Sequence, residues 1–285
     1  MSTPALTPEY IERQYNNRAA VPDHPEWIAR WAESSEQARR LLKGNVEVRY
    51  GRGPKETMDL FPAEDARGLF VFIHGGYWRS LDKADFSFVA THLVAHGIGV
   101  AVLNYDLCPT VSIRTIGDQS RRALLWLARQ GDRHGMPAAR VVVGGHSAGG
   151  HLAALLFATD WSDTPVAGLI RGGVSVSGVF DLEPMVHFSY NTDLGLTPET
   201  AREASPANMW PSVDAPMLLC VGADESAEFV RQTQLLWDRW PQCRPHNAKG
   251  PMLIPGRHHF SVVSDFAEAD SALTRATLDL FERRP

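Results

Sequence analysis

The chain has 285 residues, of which 44% are hydrophobic and 21% charged, and its formal net charge at pH 7 is −5. This length and composition can supply a substantial core, and we expect a single domain over residues 1–285. A mildly acidic chain without a basic stripe is a poor candidate for binding nucleic acid or an anionic membrane surface, so the expected partner is a small molecule. The oligomeric state stays open, with a homodimer as one option.

The amino-terminal residues show no charged-then-apolar signal pattern, and no apolar run approaches the roughly 20 residues of a membrane span. We therefore expect a cytoplasmic location. Cys108, Cys220 and Cys243 are odd in number and lack the spacing of a metal site. We expect reduced thiols, with neither a disulfide framework nor a bound metal.

Helical and extended patterns alternate along most of the chain. Residues 8–42, interrupted by Pro22 and Pro25, predict two helical pieces within an N-terminal extension over 1–42 that covers a site or packs outside the main fold. Short apolar runs predict strands at 46–50, 69–73, 98–103, 141–143, 170–176, 216–221 and 252–254. Helices are predicted at 86–96, 113–134, 149–159, 227–239 and 267–283. This order predicts an α/β fold in which helices cover both faces of a mostly parallel sheet.

The alternation stops at residues 182–214, which are long, rich in turn-forming residues and mixed in polarity. Such a segment between two strands predicts an insertion rather than a simple connection. Open α/β sheets bind their ligands at the carboxyl ends of the strands, so we expect this insertion to form a lid there.

The sequence GHSAG, at residues 145–149, lies between an apolar strand and an apolar helix. In this context the pattern is typical of a nucleophile elbow, where a serine occupies a sharp strand-to-helix turn, although a chance five-residue match is the alternative. The turn needs small residues two positions before and after the serine, and both are glycine. We predict that Ser147 is a nucleophile. The helix amino terminus would stabilise the negative charge that develops on the substrate's carbonyl oxygen during attack.

A serine hydroxyl needs a histidine base, and usually a carboxylate to orient the histidine ring. His258 and His259 lie between the last predicted strand and helix; we favour His259, which directly precedes Phe260, with His258 as the alternative. For the acid we favour Asp224, at the end of the preceding predicted strand. Glu225 is adjacent and could substitute for it.

The sequence HGGYW, at residues 74–78, follows the predicted strand 69–73. An acyl-transfer hydrolase needs a second set of backbone donors facing its nucleophile, and a loop at this place in the chain can supply them. The two glycines allow the amides to turn towards an oxyanion. We predict the amides of Gly76, Tyr77 and Ala148 as donors, with Gly75 shaping or sharing the loop.

Several aromatic residues near these segments are candidates for a pocket wall, although aromatic residues more often belong to the core. They are Tyr77, Trp78, Tyr105, Phe180, Phe188, Tyr190 and Trp210. Arg79, Asn191 and Asn208 are candidates for binding a carboxylate or an amino group.

A family resemblance rests on six sequences in this order: HGGYW, LNYDLCP, GGHSAGGHL, SVSGVFDLEPM, VGADESAEF and HHFSVV. Over about residues 57–282 the chain resembles the kynurenine formamidase (arylformamidase) branch of the α/β-hydrolase fold, near the hormone-sensitive-lipase-like esterases. The HGGxW form is more specific than GxSxG alone.

The resemblance implies an α/β-hydrolase fold with a catalytic triad of Ser147, Asp224 and His259. It also implies hydrolysis of N-formyl-L-kynurenine to L-kynurenine and formate in tryptophan breakdown, with no metal and no organic cofactor. One alternative is a carboxylesterase acting on short-chain aryl or alkyl esters. Another is a non-catalytic protein of the same fold that binds a small ligand.

Overall fold

An eight-stranded sheet forms the centre of the protein in the computed structural model, which describes residues 7–282. Its strands are β1 Asn45–Arg49, β2 Thr57–Phe61, β3 Gly68–Ile73, β4 Ile98–Leu103, β5 Val141–His146, β6 Ile170–Val176, β7 Met217–Gly222 and β8 Met252–Ile254. The helices are α1 Pro8–Tyr15, α2 Asn17–Ala20, α3 His24–Leu42, α4 Ala90–Ala95, α5 Ile113–Gln130, α6 Ala148–Ala158, α7 Asn191–Leu194, α8 Pro198–Glu203, α9 Ala227–Arg239 and α10 Ala272–Glu282. The ends of the predicted domain, residues 1–6 and 283–285, lie outside the described residues.

The strands lie in the order β1-β2-β4-β3-β5-β6-β7-β8. From β4 to β8 the neighbours pair in parallel, whereas β2 pairs antiparallel with β4 and β1 antiparallel with β2. The predicted α/β architecture with a mostly parallel sheet is therefore confirmed.

The central strands are buried on both faces. In β3, Leu69, Val71 and Ile73 join one apolar cluster, and Phe70 and Phe72 join the other, as the alternation of side chains along a strand requires. Residues of α1, α5, α6 and α9 contribute to the first cluster, and residues of α3, α4 and α10 to the second. Each face of the sheet is thus covered by helices.

The sequence patterns do not predict β2. All five of its residues are buried, and Asp59 at its centre interrupts the apolar run. Asp59 pairs with the buried Lys83 at 2.8 Å, which compensates for the burial of both charges. The partner of Asp59 comes from a distant loop, so the local pattern gives no indication that an acidic residue belongs here.

Several helix boundaries also differ from the predictions. The N-terminal extension contains three helices, α1 to α3, rather than two pieces. The helix predicted at 86–96 is short because residues 83–89 form 3-10 turns first. The helix predicted at 267–283 begins only at Ala272, after Ser271, whose hydroxyl accepts a hydrogen bond from the amide of Thr274.

The segment 182–214 forms 3-10 turns and the short helices α7 and α8. It is tied to the body of the protein at both ends. The amide of Ala207 donates to the carbonyl of Phe180, which precedes the segment, at 3.0 Å. The indole of Trp240, directly after α9, donates to the carbonyl of Met209 at 2.9 Å.

Candidate active site

The parallel strands bring four loops to one edge of the sheet. The loops follow the carboxyl ends of β3, β5, β7 and β8, and open α/β sheets bind ligands at this edge. In the register of the sheet, Ile73 at the end of β3 lies opposite Gly145 near the end of β5. The HGGYW loop therefore begins beside the turn that carries Ser147.

Ser147 occupies the predicted strand-to-helix turn between β5 and α6, with φ 56° and ψ −118°. A positive φ is strained for a residue with a side chain. A Cβ atom at Gly149 would lie 1.9 Å from the carbonyl oxygen of Ile73, and one at Gly145 would lie 2.3 Å from the carbonyl oxygen of Gly149. Strand, turn and helix can approach this closely only because both positions are glycine.

Ser147, His259 and Glu225 form a chain of hydrogen bonds. Oγ of Ser147 lies 3.0 Å from Nε2 of His259, and Nδ1 of His259 lies 2.7 Å from Oε2 of Glu225. A carboxylate only accepts, so the Nδ1–H donates to Glu225 and Nε2 is left to accept the serine proton. Such an arrangement can increase the nucleophilicity of a serine hydroxyl.

The acid differs from the favoured prediction, because Glu225 rather than Asp224 contacts the histidine. The side chain of Glu225 is fully buried, and its Oε1 accepts hydrogen bonds from the hydroxyl of Ser177 at 2.5 Å and the amide of Gly222 at 2.8 Å. Asp224 is exposed, and its amide bonds to the carbonyl of Arg257. The turn after β7 thus directs the second of the two adjacent carboxylates inwards.

Of the two adjacent histidines, His259 is the one that meets Ser147, as favoured from the sequence. His258 instead stabilises the loop, because its Nδ1 accepts hydrogen bonds from the amides of Phe260 and Ser261. Its ring packs edge-on against Trp27 of α3.

His146 supports His259 from the strand side. Nε2 of His146 lies 2.9 Å from the carbonyl oxygen of His259, to which it can donate. Burial, and then the proximity of His259, lower the pKa of His146 well below its usual value, so the ring stays neutral. This histidine therefore supports the turn and lines the site beside Ser147.

The HGGYW loop has consecutive left-handed residues, with φ 109° at Gly76, 51° at Tyr77 and 57° at Trp78. A Cβ atom at Gly75 would lie 3.1 Å from Cβ of Ser147, so the loop packs directly against the serine. Within residues 7–282 no acceptor contacts the amides of Gly76, Tyr77 or Ala148. These three predicted donors are therefore available to a ligand oxygen.

Five of the aromatic residues predicted for a pocket wall lie elsewhere. These are Trp78, Tyr105, Phe180 and Phe188, which are buried in the core, and Trp210, which is 75% exposed. Tyr105 stacks on His74 with ring centroids 4.2 Å apart and donates its hydroxyl to the carbonyl of His74 at 2.9 Å. Trp78 packs edge-on against His151 of α6. Tyr105 thus supports the start of the HGGYW loop, and Trp78, the last residue of the loop, anchors it on α6.

A small cavity of about 30 Å³ adjoins Ser147 and His259. Of the predicted aromatic residues, Tyr77 and Tyr190 line it. Other lining residues come from the N-terminal helices: Asn17, Arg18, Ile28 and Trp31. These helices supply most of the cover, whereas Tyr190 is the contribution of the segment 182–214. No local sequence signal identifies the N-terminal residues, because only the folded chain brings them to Ser147.

The three side chains predicted to bind a carboxylate or amino group have other partners. Arg79 pairs with Asp193 at 2.5 Å and lies over the ring of Tyr190. The amide nitrogen of Asn191 donates to the carbonyls of Val186 and Leu196. Asn208 donates to the carbonyl of Arg202, and none of the three lines the cavity.

Across residues 7–282 no group of three or more His, Cys, Asp or Glu side chains is placed to hold a metal ion. Cys108, Cys220 and Cys243 are free and buried. None of the helices within the described range is both long and apolar enough to span a bilayer.

Comparison with known proteins adds family membership to this geometry. Residues 70–221, more than half of the chain, match the family described as alpha/beta hydrolase fold. The chain belongs to the α/β-hydrolase fold family. The expected fold and its relation to the kynurenine formamidase branch are both supported, since the similar proteins below include members of that branch.

Kynurenine formamidase of Salmo salar is 28% identical over 98% of this chain and 97% of its own length. Kynurenine formamidase of Drosophila melanogaster is 28% identical over 80% of this chain and 78% of its own. A crystal structure from Silicibacter sp. TM1040, provisionally described as a thioesterase, is 32% identical and has a TM-score of 0.83. The alignment covers 93% of this chain and 97% of that one.

Proposed function

We propose that this protein is a serine hydrolase that cleaves aryl formamides, with N-formyl-L-kynurenine as its substrate. The observation that carries the proposal is the hydrogen-bonded chain of Ser147, His259 and Glu225 beside the unpaired amides of the HGGYW loop. Similarity to kynurenine formamidases over nearly the whole chain supports the choice of substrate.

In the proposed mechanism, His259 takes the proton of Ser147 as Oγ attacks the formyl carbon. The oxyanion accepts hydrogen bonds from the amides of Gly76, Tyr77 and Ala148. His259 then donates this proton to the aniline nitrogen as the C–N bond breaks. A formyl ester remains on Ser147. Water, deprotonated by His259, attacks this ester and releases formate, while the proton on His259 returns to Oγ.

The size of the cavity favours a small acyl group. A volume of about 30 Å³ holds about two water molecules, which matches a formyl group and excludes an aromatic ring. Ring binding therefore requires the cover to shift. Arg18, Ile28 and Tyr190 are partly exposed lining residues, and movement of their side chains would enlarge the site.

A second candidate is hydrolysis of esters or thioesters by the same residues, favoured by the similarity to the Silicibacter protein described as a thioesterase. The two candidates are separated by measuring kcat/KM for N-formyl-L-kynurenine, p-nitrophenyl acetate and S-phenyl thioacetate. We expect the formamide to be the best substrate; a preference for either ester by orders of magnitude would reject the formamidase assignment.

Two controls test whether Ser147 is the nucleophile. Ser147→Ala should lower kcat/KM by about 10³-fold or more while its melting temperature stays that of the unmodified protein. A serine-directed organophosphorus reagent should form an adduct on Ser147. Its failure to react would instead support a non-catalytic binding protein.

A further inference from the structure

The wall of the Ser147 cavity contains a buried side-chain nitrogen that has no hydrogen-bond partner among residues 7–282. Asn17, the first residue of α2, is 6% exposed, and nothing in residues 7–282 forms a hydrogen bond with its side-chain nitrogen. It lines the same cavity as Ser147 and His259. Desolvating an unpaired amide destabilises a folded protein, so buried polar side chains usually have partners. Its position beside the reacting serine indicates that the partner belongs to a ligand.

The backbone next to Asn17 is fixed by contacts with the core of the site. The carbonyl of Tyr15 accepts a hydrogen bond from the hydroxyl of Tyr77 in the HGGYW loop. The carbonyl of Gln14 accepts one from the hydroxyl of Ser226, at 2.6 Å, just before α9. Asn17 is therefore held beside the cavity by two separate parts of the fold, as a preorganised binding group requires.

The chemistry of the site favours an oxygen acceptor. An asparagine side-chain nitrogen only donates hydrogen bonds, and the neighbouring Arg18 adds a guanidinium to the same cavity wall. The substrate of the proposed function carries two such oxygen groups on its leaving group. One is the aryl ketone ortho to the formamide, and the other is the α-carboxylate of the kynurenine amino acid.

We propose that the side-chain amide of Asn17 donates a hydrogen bond to a ketone or carboxylate oxygen on the leaving group of the substrate. Asn17 thereby makes the enzyme selective for aryl compounds that carry such an oxygen near the scissile bond. This inference rests on hydrolysis at Ser147 as proposed above. The partly exposed side chains of Arg18 and Tyr190 move to admit the ring, while Asn17 remains on its anchored backbone.

The test compares wild type and Asn17→Leu on formanilide, N-(ortho-acetylphenyl)formamide and N-formyl-L-kynurenine. Formanilide lacks the oxygen, the second compound adds the ketone, and the third adds the carboxylate. We expect Asn17→Leu to lower kcat/KM about 10- to 100-fold more for an oxygen-bearing substrate than for formanilide. A selective loss that already appears with the second compound identifies the ketone, and one confined to the third identifies the carboxylate.

Stability distinguishes binding from a structural role. Leucine is similar in size to asparagine and removes an unpaired polar group, so the melting temperature of Asn17→Leu should be unchanged or higher. Equal losses for all three substrates, or no loss for any, would overturn the proposal. Equal losses with a lower melting temperature would assign Asn17 a structural role.

Asn16→Leu is the matched control. The Oδ1 of Asn16 accepts a hydrogen bond from the amide of Ala19 at 3.0 Å, and its Nδ2 donates to Glu12, so its side chain stabilises the turn before α2. We expect a lower melting temperature and an equal effect on the three substrates. The same selectivity change in Asn16→Leu would overturn the proposal, because loosening of the turn would then explain it.

The outcome is separable from that of the proposed function. If the wild type hydrolyses esters but no formamide, the formamidase assignment fails. The role of Asn17 is then tested on the esters phenyl acetate, which lacks the ketone, and ortho-acetylphenyl acetate, which carries it. The selective loss for the ketone-bearing ester in Asn17→Leu would then support the inference, and equal losses would reject it.

Discussion

Glu225 accepts a hydrogen bond from Nδ1 of His259 at 2.7 Å, whereas the adjacent Asp224 is exposed to solvent. Two carboxylates in successive positions thus occupy opposite environments. The buried one has its acceptor oxygens satisfied by His259, Ser177 and the amide of Gly222. Because these hydrogen bonds replace those that water would form, the carboxylate can remain fully buried.

The two carboxylates should differ sharply on substitution. Glu225→Gln places an amide where His259 needs a partner that only accepts hydrogen bonds. The ring of His259 is then no longer held in the required tautomer and orientation. We therefore expect kcat/KM to fall about 10²- to 10⁴-fold. Asp224→Asn is the matched control and should change kcat/KM by less than about threefold. Steady-state kinetics on the best substrate measure both, and the reverse order would contradict the assignment of Glu225.

The two histidines provide a second matched pair. His259→Ala should lower kcat/KM by about 10³-fold or more, because the base is lost. His258→Ala should reduce activity far less but lower the free energy of unfolding by about 1–2 kcal/mol, because the amides of Phe260 and Ser261 lose their acceptor. Kinetics and urea unfolding of each variant test this division. A larger activity loss in His258→Ala would show that His258 is the base.

Gly149, two positions after Ser147, should tolerate no side chain. In Gly149→Ala the new Cβ would meet the carbonyl oxygen of Ile73 at 1.9 Å, and backbone atoms must move to relieve the clash. We expect a loss of about 3 kcal/mol or more in the free energy of unfolding, together with loss of activity. Gly117→Ala in α5 is the control, since the nearest atom to its new Cβ is 3.5 Å away. It should be neutral or stabilising by about 0.5–1 kcal/mol. Equal stability of the two variants would contradict the close approach of α6 to β3.

Stability should depend on pH through His151. Its Nε2 donates to the carbonyl of Ala204 at 2.7 Å, and burial lowers the pKa of His151 from 6.5 to about 4. Between these values the unfolded chain binds a proton that the folded protein does not, so the free energy of unfolding falls as the pH drops. The full shift corresponds to roughly 3 kcal/mol.

His151→Gln removes this proton linkage while its amide can still donate to Ala204. We therefore expect a shallower decrease in the free energy of unfolding between pH 6.5 and 4 than in the wild type. Urea unfolding at several pH values measures the two slopes. Identical slopes would show that His151 is not buried as a neutral ring.

The sequence alone determined seven of the eight strands, the α/β class, the elbow at Ser147 and the HGGYW loop. These features are local: a strand-to-helix turn with glycines two positions before and after Ser147 is recognisable from the sequence, and the place after the last strand narrows the base to His258 or His259. The uninterrupted apolar run of β3 likewise indicates a strand buried on both faces.

Only the tertiary structure decided which acid faces His259, why an aspartate belongs in β2, and what covers the site. Asp224 and Glu225 are equivalent in any local pattern, and the direction of the turn after β7 separates them. Asp59 depends on its ion pair with Lys83, and Asn17 reaches the Ser147 cavity from the N-terminal helices. Contacts between residues far apart in sequence leave no periodic signal in the sequence. The acid, the ion pair of Asp59 and the cover of the site are therefore determined only by tertiary packing.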